Sequence, residues 1–254
     1  VSATRAFASK ELSEVVHTWR LWVLPGVLLF TGLTSPVLAA MLPRIAKYAT
    51  GQNPGTVIKM ATPTAYDAYV QFMGNLQQIA ALTVVIIGGG IIAAEVRNGT
   101  AALTLAKPLS RVSYVLTKAG VLSLLTVAAT VVGTAVCIAV TTAIFGAGDV
   151  GRMVAATATW LLLALFYVAL STLFSATVGS QLAAAVMGVG AVIAVGVLSG
   201  LTVLRDYTPA GLGSAGTDLL AGEPTPLLWP IATTAALTIA CLLAAVWAFR
   251  RREL

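Results

Sequence analysis

The sequence predicts an all-α, polytopic membrane protein with six transmembrane helices and an N-terminal amphipathic interfacial helix. Three observations carry that expectation. Of 254 residues, 58% are hydrophobic and only 9% charged, whereas a soluble domain carries roughly 25% charged residues. Mean hydropathy is +0.94. Charge-free runs recur along the whole chain, each long enough to cross a hydrocarbon core that takes about 20 helical residues. Helix fits because each segment must satisfy its own backbone in lipid, and the ~10-residue alternation of a membrane barrel is absent. Residues 1–254 are expected to form a single transmembrane domain.

The leader, residues 1–20, comes first. Ala8, Leu12, Val15, Val16 and Trp19 recur at helical spacing, with Lys10, Ser13, Glu14 and His17 opposite. That pattern suits an amphipathic helix in the interface, with a solvated helix as the alternative. A cleaved signal peptide is not expected, because the following apolar run is long and no clear small-residue cleavage site follows it. Spans are expected at 21–42, 73–94, 114–145, 153–176, 182–203 and 229–249. The fourth and fifth share one uncharged run, Met153 to Leu204, which splits where polar residues gather with Gly179 between Ser175 and Gln181.

Small residues suggest how the spans associate. Ala184, Gly188, Gly196 and Gly200 mark the fifth span, and Gly88, Gly89 and Gly90 the second. Such residues let helices approach closely in lipid, either within one subunit or between two copies. Thr126, Thr130 and Thr134 share a face of the third span, either lining a pathway or bonding back to their own helix. Residues 204–228 mix apolar residues with Pro209, Pro224, Pro226 and several glycines. This outer segment suits short broken helices dipping into the membrane as a re-entrant element, or a solvated loop.

The basic residues give the sidedness. Arg5, Lys10, Arg20, Arg97, Lys107, Arg111, Lys118 and Arg250 to Arg252 fall on the side of both termini, ten of the 15 Lys and Arg. The other side holds Arg44, Lys47, Lys59, Arg152 and Arg205. The positive-inside rule then places both termini in the cytoplasm of a cell-membrane protein. The pI of 9.6 follows from that bias and from anionic lipid, so no nucleic acid is implied.

Several chemistries are excluded. Gly146 to Gly151 fits G-x-G-x-x-G but joins two apolar spans, not a strand and a helix. No Walker motif occurs, so the chain cradles no ATP itself. Cys137 and Cys241 sit within spans and His17 is single, so no metal cluster or disulfide framework is expected. The middles of the spans hold no Asp, Glu, His, Lys or Arg, which argues against an intramembrane protease and a proton-coupled pump. The uncharged surfaces suit a hydrophobic or amphipathic cargo.

The polar stretch from Glu95 to Lys118 stands out against this background. Glu95, Gly99, Thr100, Leu103, Leu105, the run Lys107-Pro108-Leu109-Ser110-Arg111, and Lys118 resemble the E…GT…L…P-x-S-R…K run of ABC-2 type transporter permeases. The likeness is greatest to the six-span subunits of the sodium-export and copper-maturation kind. Ala101-Ala102 departs from the more usual Leu- or Glu-containing pair. The resemblance implies a permease subunit of an ABC exporter with no catalysis of its own and no bound cofactor. ATP and Mg would sit on a separate ABC ATPase, two copies of which assemble with two permease copies, identical or related.

Residues 95–112 would then be the coupling segment that docks on the ATPase. Gly99-Thr100 offers a break and a helix start with Thr as cap, Leu103 and Leu105 apolar knobs, and Pro108 a stop. Glu95 and Arg97 would pair with the partner or with each other, while Arg111 and Lys118 would anchor to lipid phosphates. ATP-driven closure would push this segment and tilt spans one, two and five. Two other functions remain open: a membrane subunit that transmits ATPase motion without moving solute, and a stand-alone channel or secondary carrier.

Overall fold

A computed structural model describes residues 3–17, 19–49, 62–106 and 109–252, and among them every element is helical. Helix α1 is Ala3–His17 and α2 is Trp19–Ala49. The second span is built from α3 (Ala65–Asn75), a π-helical turn at Leu76–Ala80 and α4 (Ala81–Gly90), followed by α5 (Ala93–Arg97). A short α6 (Thr100–Leu105) leads to the long α7 (Arg111–Phe145) and α8 (Val150–Thr177). Then come α9 (Gln181–Ser199), α10 (Thr202–Tyr207), α11 (Ala210–Ala221) and α12 (Leu228–Arg251). Six of these stretches are long and apolar enough to cross a membrane, making this a multi-pass membrane protein.

Local chemistry sets the ends. Ser110, Asp149 and Ser180 accept from the backbone N–H of Ser113, Arg152 and Ala183, capping α7, α8 and α9. The second span starts at Ala65, earlier than expected, because Asp67 accepts from the backbone and hydroxyl of Thr64 and closes the first turn. The first span, on α2, runs on past its expected end to Ala49, through Pro25, Pro36 and Pro43. The fifth span stops at Ser199, short of the expected end, where the chain turns into α10.

Helix α8 is the centre of the bundle, packed against α4, α7, α9, α11 and α12. Trp160, Leu163, Ala164 and Tyr167 are buried on it. The expected outer segment is occupied by two short helices, the end of α10 and the whole of α11. Leu212, Ala215 and Leu220 of α11 are buried, and Gly213 faces Leu163 of α8.

Apolar surface gains little by leaving one apolar environment for another, so close backbone approach holds the spans together. Gly133 of α7 faces Leu28 of α2, a Cβ there lying 2.9 Å from the Leu28 carbonyl oxygen. At the α4–α9 crossing a Cβ on Gly89 would stand 2.7 Å from the Ala185 nitrogen, and one on Gly188 2.8 Å from the Val85 Cβ. Ala184 and Gly188 therefore pack within the subunit, whereas Gly196 and Gly200 are exposed. Thr126 and Thr130 are buried and donate to carbonyls one turn back, at 2.8 and 2.7 Å, so the threonine face belongs to the core.

Gly89→Ala drives a methyl into backbone that cannot move aside and is expected to cost about 1–3 kcal/mol. Gly196→Ala, with open space around it, should leave stability unchanged or slightly raised. Thermal unfolding in detergent checks both.

Candidate functional site

The polar stretch lies on the face where α1 and the end of α12 meet, here called the terminal face. Its shape begins with a break. Between α4 and α5 the helix is interrupted, and the N–H groups of Ile92 and Ala93 both donate to the buried Ser175 hydroxyl of α8, at 3.0 and 2.9 Å. Groups left unpaired at a helix break would be costly, so this hydroxyl fixes where α5 starts. Gly99 has φ +73°, a left-handed conformation that glycine adopts without strain. It turns the chain into α6.

Along α6, Ala101 is buried and Leu105 is half-buried against the cluster that includes Phe7, Tyr114 and Phe249, so it is not the outward knob expected of it. Leu103 points away and is 73% exposed. The Thr100 hydroxyl donates to the carbonyl of Glu95 at 3.2 Å. Gly99 occupies the cap position and Thr100 is the first helical residue, a one-residue correction to the expected cap. Arg97 is exposed at the end of α5.

Beneath α5 lies a buried charge cluster. The Lys118 ammonium, 5% exposed, sits 2.8 Å from Glu95 Oε1 and 2.9 Å from Glu11 Oε2. Tyr114 donates its hydroxyl to Glu95 Oε2. Lys10 stands 3.8 Å from the other Glu11 oxygen, so two ammonium groups balance two carboxylates. Tyr114 is stacked between Phe7 and Phe249, ring centroids 5.5 and 5.2 Å away, and Lys118 lies 5.3 Å from the Tyr114 ring. In this low-dielectric setting the ion pairs are strong once formed and expensive to break.

The clustering extends into a circuit. Arg111 donates to the carbonyls of Phe249, Arg250 and Arg252 at 3.2, 3.1 and 2.6 Å. Arg252 donates to the Ala176 carbonyl at 3.0 Å. Each guanidinium thus satisfies the open carbonyl end of a helix, where positive charge is also favoured by the dipole. Polar ties therefore run from α5 to α8 through Ser175, from α8 to α12 through Arg252, from α12 to α7 through Arg111, and back to α5 through Lys118.

Two sequence expectations change. Glu95 pairs with Lys118 and Tyr114 inside the bundle, and Lys118 is buried between carboxylates, so it does not reach for phosphate. Arg111 is spent on the end of α12. Pro108 lies outside the described residues. Glu11, Tyr114 and Ser175 were missed. The signal for Glu11 was its four-residue spacing from Phe7: both face the bundle, while Leu12 of the expected apolar stripe faces out.

Lys118→Met removes the ammonium that both carboxylates share and should cost about 3–5 kcal/mol. Glu95→Gln keeps an acceptor for Tyr114 and should cost less. Arg97→Gln, on the exposed end of α5, should stay within about 0.5 kcal/mol. Denaturation of the purified chain in detergent ranks the three.

A family model described as ABC-2 family transporter protein matches residues 5–211. An uncharacterised transmembrane protein of Bacillus subtilis, YxlG, is 23% identical over 253 residues, covering 98% of this chain and 97% of its own. A family match over most of the chain, on a six-span helical bundle, identifies this protein as a member of the ABC-2 transporter family, a membrane permease component that works with an ABC ATPase.

Proposed function

We propose that this chain is the permease subunit of an ABC exporter and that α5, Gly99 and α6 form the segment on which a separate ATPase subunit docks. The observation that carries the reading is Leu103. A leucine 73% exposed on a short helix, between flanks tied into the bundle, is an apolar knob held out on a rigid mount. Two ATPase copies, carrying ATP and Mg, would serve two permease copies, identical or related, in the cell membrane. The excess of Lys and Arg on the terminal face supports cytoplasmic termini. The family supports export, and the apolar spans support a hydrophobic or amphipathic cargo.

The polar circuit suggests how the load travels. A push on α6 passes through α5 to Ser175 on α8 and through Lys118 to α7, and Arg111 and Arg252 carry it on to α12. The ties thus carry it to spans three, four and six, beyond the second span that α5 ends and in addition to the expected spans one and five. On the opposite face α10 and α11 form the re-entrant cap. Gly213 of α11 meets Leu163, thirteen residues along α8 from Val150 and about 20 Å in at 1.5 Å per residue.

Leu103→Asp places a charge on the knob and is expected to abolish co-purification of the ATPase while the permease stays folded. Retained co-purification would overturn the docking assignment. ATP-dependent efflux from proteoliposomes containing both subunits separates an exporter from a subunit that only transmits motion. Single cysteines at Leu219 and Leu220 should resist a membrane-impermeant maleimide, and full labelling would put α11 in open water.

A further inference from the structure

The exposed faces of the spans are apolar, as at Leu124 and Val131 on α7 and Ile193 and Val197 on α9. Exposed Thr142 and Thr177 return their hydroxyls to the carbonyls of Ile138 and Leu173. The second span departs from this. Gln71 and Gln78 are both exposed, and the space in front of Gly74 between them is open. A primary amide offers two donors and an acceptor, and leaving them unpaired in hydrocarbon costs several kcal/mol, roughly 2–7 by reference state.

Gln78 is far from either end of its span. It lies thirteen residues from Ala65 and nineteen from Arg97, about 20 and 29 Å along the helix at 1.5 Å per residue. The π-helical turn sorts the two adjacent glutamines. Gln77 turns inward and donates to the Gly213 carbonyl of α11, whereas Gln78 turns out. π-Turns of this kind concentrate at functional sites. Asn75 borders the strip and donates to Ser35 of α2 at 2.9 Å.

The strip is continuous with the aqueous phase. Asp67, exposed at the mouth of the span, precedes Gln71 by four residues and Gln78 by eleven, on one helical face. Polar groups run from the mouth to mid-span, and only below them does the exposed face become apolar, at Ile79 and Ile86. A helix facing lipid has no use for that order. A wall facing water does.

We propose that the face formed by Gln71, Gly74 and Gln78 lines a hydrated path, and that the solute using it is an amphiphile whose head carries uncharged hydrogen-bonding groups. The two amides offer both donors and acceptors without charge, and Ile79 and Ile86 receive the apolar body. This rests on the permease reading and specifies the wall its cargo passes.

The test is a membrane-impermeant maleimide applied to the full chain in liposomes, with single cysteines at Gln71, Gln78 and the lipid-facing Leu124. Gln78→Cys and Gln71→Cys should label at least tenfold faster than Leu124→Cys. Two independent positions guard against one variant failing to fold. Labelling no faster than the Leu124 control overturns the proposal. So does spontaneous disulfide formation between two copies at Gln78→Cys without reagent access, which would make the strip a contact between subunits. For the head group, decyl maltoside and decyltrimethylammonium are added below their micellar concentrations. Slower labelling with the maltoside alone supports an uncharged head, and protection by the cation alone overturns that part. None of this requires the ATPase: labelled glutamine positions with no ATPase bound would sink the exporter reading and keep the path, while ATPase binding with silent glutamine positions would do the reverse.

Discussion

The terminal face depends on one ammonium group. Lys118 is shared between Glu11, near the start of the chain, and Glu95, at the end of the second span. Neither carboxylate would tolerate burial alone, so the ammonium holds three segments in a single arrangement. A pair of apolar side chains could hold the same segments more cheaply, because desolvating charge is expensive. They would hold them less specifically. Apolar contacts slide, whereas an ion pair of 2.8 Å with a tyrosine hydroxyl on the same carboxylate has one geometry. The same fixed geometry is what the proposed docking segment would need to meet its partner in one orientation.

Away from that face the bundle obeys a different constraint. Lipid removes most of the reward for burying leucine, so the crossings are written in glycine and alanine. Gly133 against Leu28 and Gly89 against Ala185 set how near the helices come. Buried threonines return their hydroxyls to their own backbone. Among the described residues the buried Lys–Glu cluster sits at the terminal face, and the ion pairs Arg152–Asp149 and Arg205–Asp218 lie at the opposite end of the bundle.

Much of this was legible in the sequence, and for identifiable reasons. Charge-free runs are long, so the six spans were clear. Their ends were less so, since Asp67 starts a helix at Ala65 through one cap that hydropathy does not register. The segment from Glu95 to Arg111 is visible as an anomaly and its Gly99 turn follows from residue type, but of its two leucines only Leu103 faces out while Leu105 packs inward. What lay beyond reading was direction. Lys118 and Glu11 are separated by 107 positions, and no local pattern says that a lysine at the start of a span turns into the bundle. In the sequence Ser175 is only a polar residue near a helix end, because its partners, Ile92 and Ala93, belong to another span.

The π-turn at Leu76–Ala80 has an evolutionary side. Such a turn holds one residue more than the α-helix it interrupts, and a residue is about 100° of rotation. The wider turn absorbs that extra rotation, so the Asp67 side keeps its facing relative to the glycine face that packs on α9. A lineage could gain or lose that single residue without repacking the span, because Tyr69, Phe72 and Met73 before the turn and Val84 and Val85 after it stay buried either way. The second span is in this sense two helices on a common axis, and the joint between them keeps both halves seated in the bundle.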